Sequence, residues 1–301
     1  MENRPVLKED QATIKELTEK YFADQEIREI RRLGGLTNHT YCVMLTSGRY
    51  VFRLPGEGTE KMIDRQDERV STELACRLKI DAPLIMFDEK TGIKIAEYIE
   101  DSETMSPKTL RSRENIKKAA ELLRELHSCG GDTKVEFDVF GMAEEYEQLI
   151  RSYEVALFED YEDIKEKVAV IRKKMQGQYP LVPCHNDPLC ENWIRTKDRM
   201  YLIDWEYAGM NEGMWDVADV AIEAHMDEKA ADFLLDTYLG HKADRDEKMN
   251  FIANEIYLDF LWSLWGKTRV PFDKEMMEEY AKERYVRLKE NIKRFEAYCN
   301  L

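Results

Sequence analysis

The sequence contains no CxxC pair, no long apolar run, few glycines and prolines, and fewer basic than acidic residues. Its six cysteines, at 42, 76, 129, 184, 190 and 299, are scattered, which excludes a zinc ribbon or finger and fits reduced thiols in a cytosolic protein. No apolar stretch approaches the ~18 residues that a bilayer span needs. With 14 glycines and 8 prolines among 301 residues, no Pro-, Gly- or Ser-rich linker divides the chain. Met1 to Asp10 is charged and lacks an apolar core, so it is neither a secretory signal nor an Arg-rich, acid-poor transit peptide, and the cytoplasm is the expected compartment. The deficit of 45 Lys and Arg against 61 Asp and Glu, a formal net charge of −16, argues against nucleic acid or an anionic membrane surface as partner. It is compatible with a cationic ligand. Hydrophobic residues at 43% suffice for sizeable cores, and two lobes are expected.

The chemistry is concentrated between Pro183 and Asp219, which reads PCHNDPLCENWIRTKDRMYLIDWEYAGMNEGMWDVAD. Asp187 and Asn192 stand five positions apart in a loop whose Pro188 forbids a regular ladder, and Asp204 closes the apolar run Met200 to Ile203 after a turn at Thr196 to Arg199. Phosphoryl transfer from a nucleotide needs a carboxylate to take the hydroxyl proton and oxygen ligands to hold Mg²⁺ against the phosphates. Asp187, Asn192 and Asp204 supply that set. Aspartate and asparagine are also ordinary turn residues. It is the joint spacing of loop, hairpin and second acid that favours catalysis. A metal hydrolase built on His185 and Asp187 would need a second histidine at ligand spacing, which the chain lacks. A pseudokinase would lack one of the three oxygen residues, and none is missing.

The spacing D-x-x-x-x-N followed by a strand-borne Asp is the protein-kinase pattern, here with HND in place of HRD and IDWEYAG in place of DFG. In the form CHNDPLCENW then LIDWEYAG it resembles the choline and ethanolamine kinase family, within the wider group that includes aminoglycoside phosphotransferases. The resemblance implies an α+β, two-lobed protein-kinase-like fold, MgATP as donor, and a small alcohol bearing an amine or ammonium as acceptor. It makes Asp187 the base and Asn192 and Asp204 the metal ligands, and it gives His185 a structural role in the catalytic loop. Asp216 is expected to cap the following helix and tie the loop to it.

Ahead of this stretch, Leu7 to Phe22 has helical spacing. Tyr41 to Leu45, the turn Thr46 to Arg49, and Tyr50 to Leu54 read as a hairpin. Gly34 and Gly35 precede it, and would let backbone amides approach phosphates, while Thr37 and Asn38 add side-chain donors. Arg53 stands where a protein kinase has its strand-three lysine, and the resembling family also uses arginine there. The acid-rich helix Asp64 to Leu78 offers Glu68 or Glu73 as its partner, with Glu68 the better fit to the family spacing. Leu84 to Phe87 and Ile93 to Tyr98 flank a turn at Gly92 and lead into the hinge, where Glu97 and Ile99 would read the adenine edge through their main chain. Residues 1–100 are thus assigned to the nucleotide lobe.

Residues 101–301 read as a helical lobe, with Ser106-Pro107 as a helix start and Arg113 to Ser128, Phe140 to Tyr153, Tyr161 to Met175, Trp215 to His225, Ala230 to Leu239, Lys248 to Gly266 and Lys274 to Tyr298 as helices. In Phe260-Leu-Trp-Ser-Leu-Trp265 two tryptophans share a helical face, which on pattern alone reads as core. The family resemblance instead makes Trp262, Trp265, Tyr207 and Tyr280 a cation box, with Glu223 beside the ammonium. One family tyrosine after Glu223 has no counterpart, because Ala224 to Glu228 offers His225 but no tyrosine. The expected reaction is ATP-dependent phosphorylation of choline by a monomer or homodimer. Ethanolamine, thiamine and aminoglycosides are the alternative acceptors.

Overall fold

The computed structural model describes residues 5–34, 38–56 and 63–300. They form two compact units, one from the chain up to Met105 together with Glu191–Ala208, the other from Ser106–Cys190 together with Gly209 onward. Among the described residues no helix is long and apolar enough to cross a membrane.

The first unit is built on an antiparallel sheet of β1 (Ile27–Gly34), β2 (Asn38–Leu45), β3 (Arg49–Pro55), β4 (Leu84–Phe87) and β5 (Lys94–Glu97), in the order β1-β2-β3-β5-β4. Strand alternation sends Tyr41, Val43, Leu45, Phe52, Leu54 and Ile95 into one core, closed by Ile14 of helix α1 (Lys8–Tyr21). Arg53, between Phe52 and Leu54, must face the opposite side of the sheet, and its register partners there are Thr40 and Lys94. Helix α2 (Arg65–Arg77) begins where the Asp64 carboxylate accepts the Gln66 and Asp67 N–H groups. A small sheet of β6 (Glu103–Thr104), β8 (Trp193–Arg195) and β9 (Met200–Leu202) belongs to the same unit. The Met105 N–H donates to Trp193 O at 2.8 Å and the Leu202 N–H to Ile80 O at 3.0 Å, so residues far along the chain are held to the strand-rich part.

In the second unit β7 (Leu181–Cys184) pairs antiparallel with β10 (Gly209–Glu212), and helices surround the pair. Helix α3 (Pro107–Leu110) carries the expected Ser-Pro start, with a reciprocal Ser106–Thr109 capping box. The others are α4 (Arg113–His127), α5 (Val139–Ser152), α6 (Tyr161–Met175), α7 (Met214–Glu223), α8 (Glu228–Leu239), α9 (Arg245–Arg269) and α10 (Lys274–Asn300). Helix α9 starts a turn earlier than hydrophobic spacing predicts because Asp244 and Glu247 cap it reciprocally. It is buried almost all round, as fits the central helix of a bundle. Ion pairs clamp it to α10: Arg287 grips Asp259 with two nitrogens at 2.6 and 2.8 Å, Arg284 stands 3.5 Å from the same carboxylate, and Arg294 meets Glu255 at 2.6 Å.

Candidate active site

In the first unit the Arg53 guanidinium is 3% exposed and sits among acids. One of its terminal nitrogens pairs with Glu68 Oε1 and lies 3.2 Å from Asp204 Oδ1, and the other donates to Gly92 O at 3.0 Å. Burial works against the charge, but Glu68, Asp204 and Glu206 outweigh it and hold Arg53 above the ordinary arginine value. Arg65 closes the far side, 2.6 Å from Glu68 Oε2 and 3.6 Å from Glu206. Glu73 is paired with Arg69 at 2.8 Å on the solvent side. Glu206 accepts from Asn38 Nδ2 at 2.8 Å and is pushed up to about 7, first by burial and then by the Asp204 charge. Asp204 occupies a left-handed backbone position, φ 70°, with its side chain one third exposed. Its neighbour Ile203 donates to Asn192 O at 2.9 Å, which ties the two proposed ligand residues together. A carboxylate and an amide oxygen are hard donors, the type that a magnesium ion prefers.

Gly34 ends β1 opposite Thr40, while Gly35 and Thr37 lie outside the described residues. Glu97 closes β5 with its N–H on Pro83 O, and Ile99 O accepts from Ser102 Oγ at 2.6 Å. Tyr207 is half-buried in this unit, and the other aromatic residues of the expected box belong to the second.

In the second unit the loop after β7 carries Asp187 and is fixed by Asp216. The Asp216 side chain is fully buried and accepts both the His185 and Asn186 N–H groups at 2.8 Å, while His127 Nε2 stands 3.1 Å away. Asp216 is therefore not a helix cap: Gly213 is the N-cap of α7, and Asp216 lies inside the first turn with its carboxylate turned to the loop. The carboxylate instead satisfies the His185 and Asn186 N–H groups, which belong to buried residues and need an acceptor. Asn186 adopts φ 67°, and its carbonyl and side chain accept from Trp215 Nε1 and Asn211 Nδ2 at 3.0 and 2.9 Å. Asp187 at the loop's end is half-buried.

On α9 and α10, Trp262 and Trp265 meet edge to face with centroids 6.3 Å apart, and Trp265 meets Tyr280 the same way at 5.7 Å. Gly266 makes this possible: a Cβ there would lie 2.8 Å from Tyr280 Cδ1, so only glycine lets α10 bring its tyrosine against α9. Glu223, at the end of α7, forms an ion pair with Arg284, whose guanidinium also stands 5.1 Å from the Tyr280 ring centroid. Sequence reasoning missed Arg284, Glu206, Arg65 and Asp219. Spacing held a clue to two of them: Arg284 follows Tyr280 by four residues on one helix, and Asp219 precedes Glu223 by four.

A strand-rich unit with a buried Arg–Glu pair reaching a strand-end aspartate, followed by a helical unit with an aspartate-braced HND loop, defines a protein-kinase-like phosphotransferase. Residues 30–263 match the model of the choline/ethanolamine kinase family, and the chain belongs to that family. It is an ATP-dependent transferase with an alcohol group as acceptor. It is similar to LicA of Haemophilus influenzae, 29% identical over 244 residues that cover 78% of this chain and 90% of that protein. Among solved structures it resembles a choline/ethanolamine kinase family protein from Mesorhizobium loti, with TM-score 0.83, 29% identity and coverage of 97% and 98% of the two chains. It also resembles the choline kinase LicA from Streptococcus pneumoniae, with TM-score 0.81, 29% identity and coverage of 93% and 98%.

Proposed function

We propose that this chain phosphorylates the hydroxyl of choline, giving phosphocholine. The observation that carries the acceptor reading is the run of rings Trp262, Trp265 and Tyr280, set in the same unit as Glu223 and Asp187. A quaternary ammonium has no N–H to donate, so aromatic faces with carboxylates nearby are the physical means of holding it. Tyr207, in the first unit, is a further candidate for the acceptor. The Asp187 carboxylate takes the hydroxyl proton, and the Asp216 bonds to His185 and Asn186 hold it in position. Asn192 and Asp204 would hold Mg²⁺, which when bound neutralises charge on the phosphates. Arg53, oriented by Glu68, faces the phosphates, Asn38 adds a side-chain donor to them, and the backbone of Glu97 and Ile99 receives the base.

The test is ATP turnover against choline, ethanolamine, thiamine and an aminoglycoside. A primary ammonium would leave its donors facing aromatic walls, a deficit on the order of 1–3 kcal/mol. Choline should therefore exceed ethanolamine by roughly ten- to a hundredfold in kcat/KM. Equal efficiency, or activity only on a larger amino alcohol, refutes the choline reading and leaves the kinase reading standing. Asp187→Asn should abolish turnover with any acceptor while ATP still binds, and near-normal turnover would remove Asp187 as the base.

A further inference from the structure

Asp259 and Glu223, two of the acids around the acceptor wall, are already matched to cations. Asp259 is gripped by Arg287 and approached by Arg284 at 3.5 Å, and Glu223 is paired with Arg284. Asp219, one helical turn before Glu223 on α7, is not. It is 1% exposed, and both carboxylate oxygens are sealed from solvent with no hydrogen-bond donor among the described residues. The charged groups that act on it are Glu223 and Asp216 on its own helix, Asp187 on the loop, and Arg284 and Tyr280 on α10. Arg284 is shared with Glu223 and Asp259, so the acids exceed the cations at this spot. A buried carboxylate that lacks both a donor and a dedicated cation is unfavourable as an anion and keeps its proton. Burial first, then Glu223 and Asp187, hold Asp219 well above the usual carboxylate range, against the partial relief that Arg284 provides.

We propose that Asp219 is a latent counter-charge of the acceptor site, a carboxyl group that keeps its proton in the free enzyme and releases it to solvent when a cationic alcohol binds. This rests on the acceptor reading given above. The ligand's permanent charge enters a region short of cations and stabilises the Asp219 anion. The balance is simple: one O–H bond breaks, the proton goes to bulk buffer, and the ligand's positive charge replaces it. Asp219 does not touch the reacting atoms, so it is a positioning residue. Its consequence is that cation affinity climbs with pH, where a cation held by permanently ionised acids would show no such dependence.

Calorimetric titration of the full chain at pH 7 with choline chloride, in buffers of differing ionisation enthalpy, counts the protons released. The natural protein should release close to one proton per choline bound, and its Kd should tighten by up to about tenfold per pH unit between pH 6 and 7. Tetramethylammonium, which has no hydroxyl, should show the same release, which separates the effect from Asp187 and the acceptor alcohol. Asp219→Asn should bind choline more weakly at pH 7 and release no proton. If that variant does not fold, infrared difference spectra of the natural protein take its place and should lose a protonated-carboxyl band when choline is added. Binding without proton release, undiminished release in Asp219→Asn, or an unchanged carboxyl band overturns the proposal. No heat and no binding with choline would instead refute the acceptor reading, and this inference with it.

Discussion

Arg53→Lys tests the donor end most directly, because the substitution keeps the charge and removes the fork. The guanidinium serves Glu68, Asp204 at 3.2 Å and Gly92 O at 3.0 Å from a position only 3% exposed. A single ammonium can serve one of these well. Glu68 retains Arg65 at 2.6 Å, so the losses fall on the Gly92 carbonyl and on the tether to Asp204. Hydrogen bonds from a charged donor contribute about 1.5–3 kcal/mol each, and a combined loss on the order of 2–4 kcal/mol follows when the lysine recovers part of it. In kinetics this corresponds to a fall of about 30- to 1,000-fold in kcat/KM for ATP, with a smaller change in the KM for choline. Steady-state kinetics with each substrate varied in turn would measure it, with thermal unfolding run alongside to confirm that the variant is folded. A folded variant with an unchanged KM for ATP, or one altered only in choline kinetics, would refute the assignment of Arg53 to the nucleotide.

Asp216→Asn replaces one acceptor oxygen by a donor that faces a buried N–H, so it should lower stability by about 1–3 kcal/mol and reduce kcat more than the KM for choline. An unaltered kcat well below the melting temperature would show that the loop does not depend on this brace. Glu255 gives a pH test remote from the chemistry: burial pushes it up to about 7 despite Arg294 at 2.6 Å. Between about pH 4 and 7 the unfolded chain has lost a proton that the folded chain keeps, so stability from this group falls as pH rises. Denaturant titrations at pH 5 and 7 should show Glu255→Gln gaining about 2 kcal/mol on the natural protein over that interval. A constant difference would mean that Glu255 is ionised throughout.

The sequence by itself determined the features that depend on neighbours along the chain. Helix starts at Asp64, Ser106 and Ser112 are local capping chemistry, and the strands flanking the 46–49 turn follow from alternation across a turn. The HND loop and the strand-end aspartate were legible because their spacing is fixed within one short stretch. Tertiary structure decided which charges meet. Glu68 and Glu73 are both acids on α2, but five residues turn the helix by about 140° from one to the other, so Glu73 pairs with exposed Arg69 while Glu68 turns inward to Arg53. Asp216 looks like a cap in sequence, yet two N–H groups some thirty positions upstream claim its carboxylate. For Asp219 and Arg284 the sequence offers only the four-residue spacing to Glu223 and Tyr280, which places them on a shared helix face but does not say what they meet. The difference between a solvated acid and a buried one without a donor arises only when α7 and α10 pack, because desolvation and charge pairing depend on residues that share space rather than sequence.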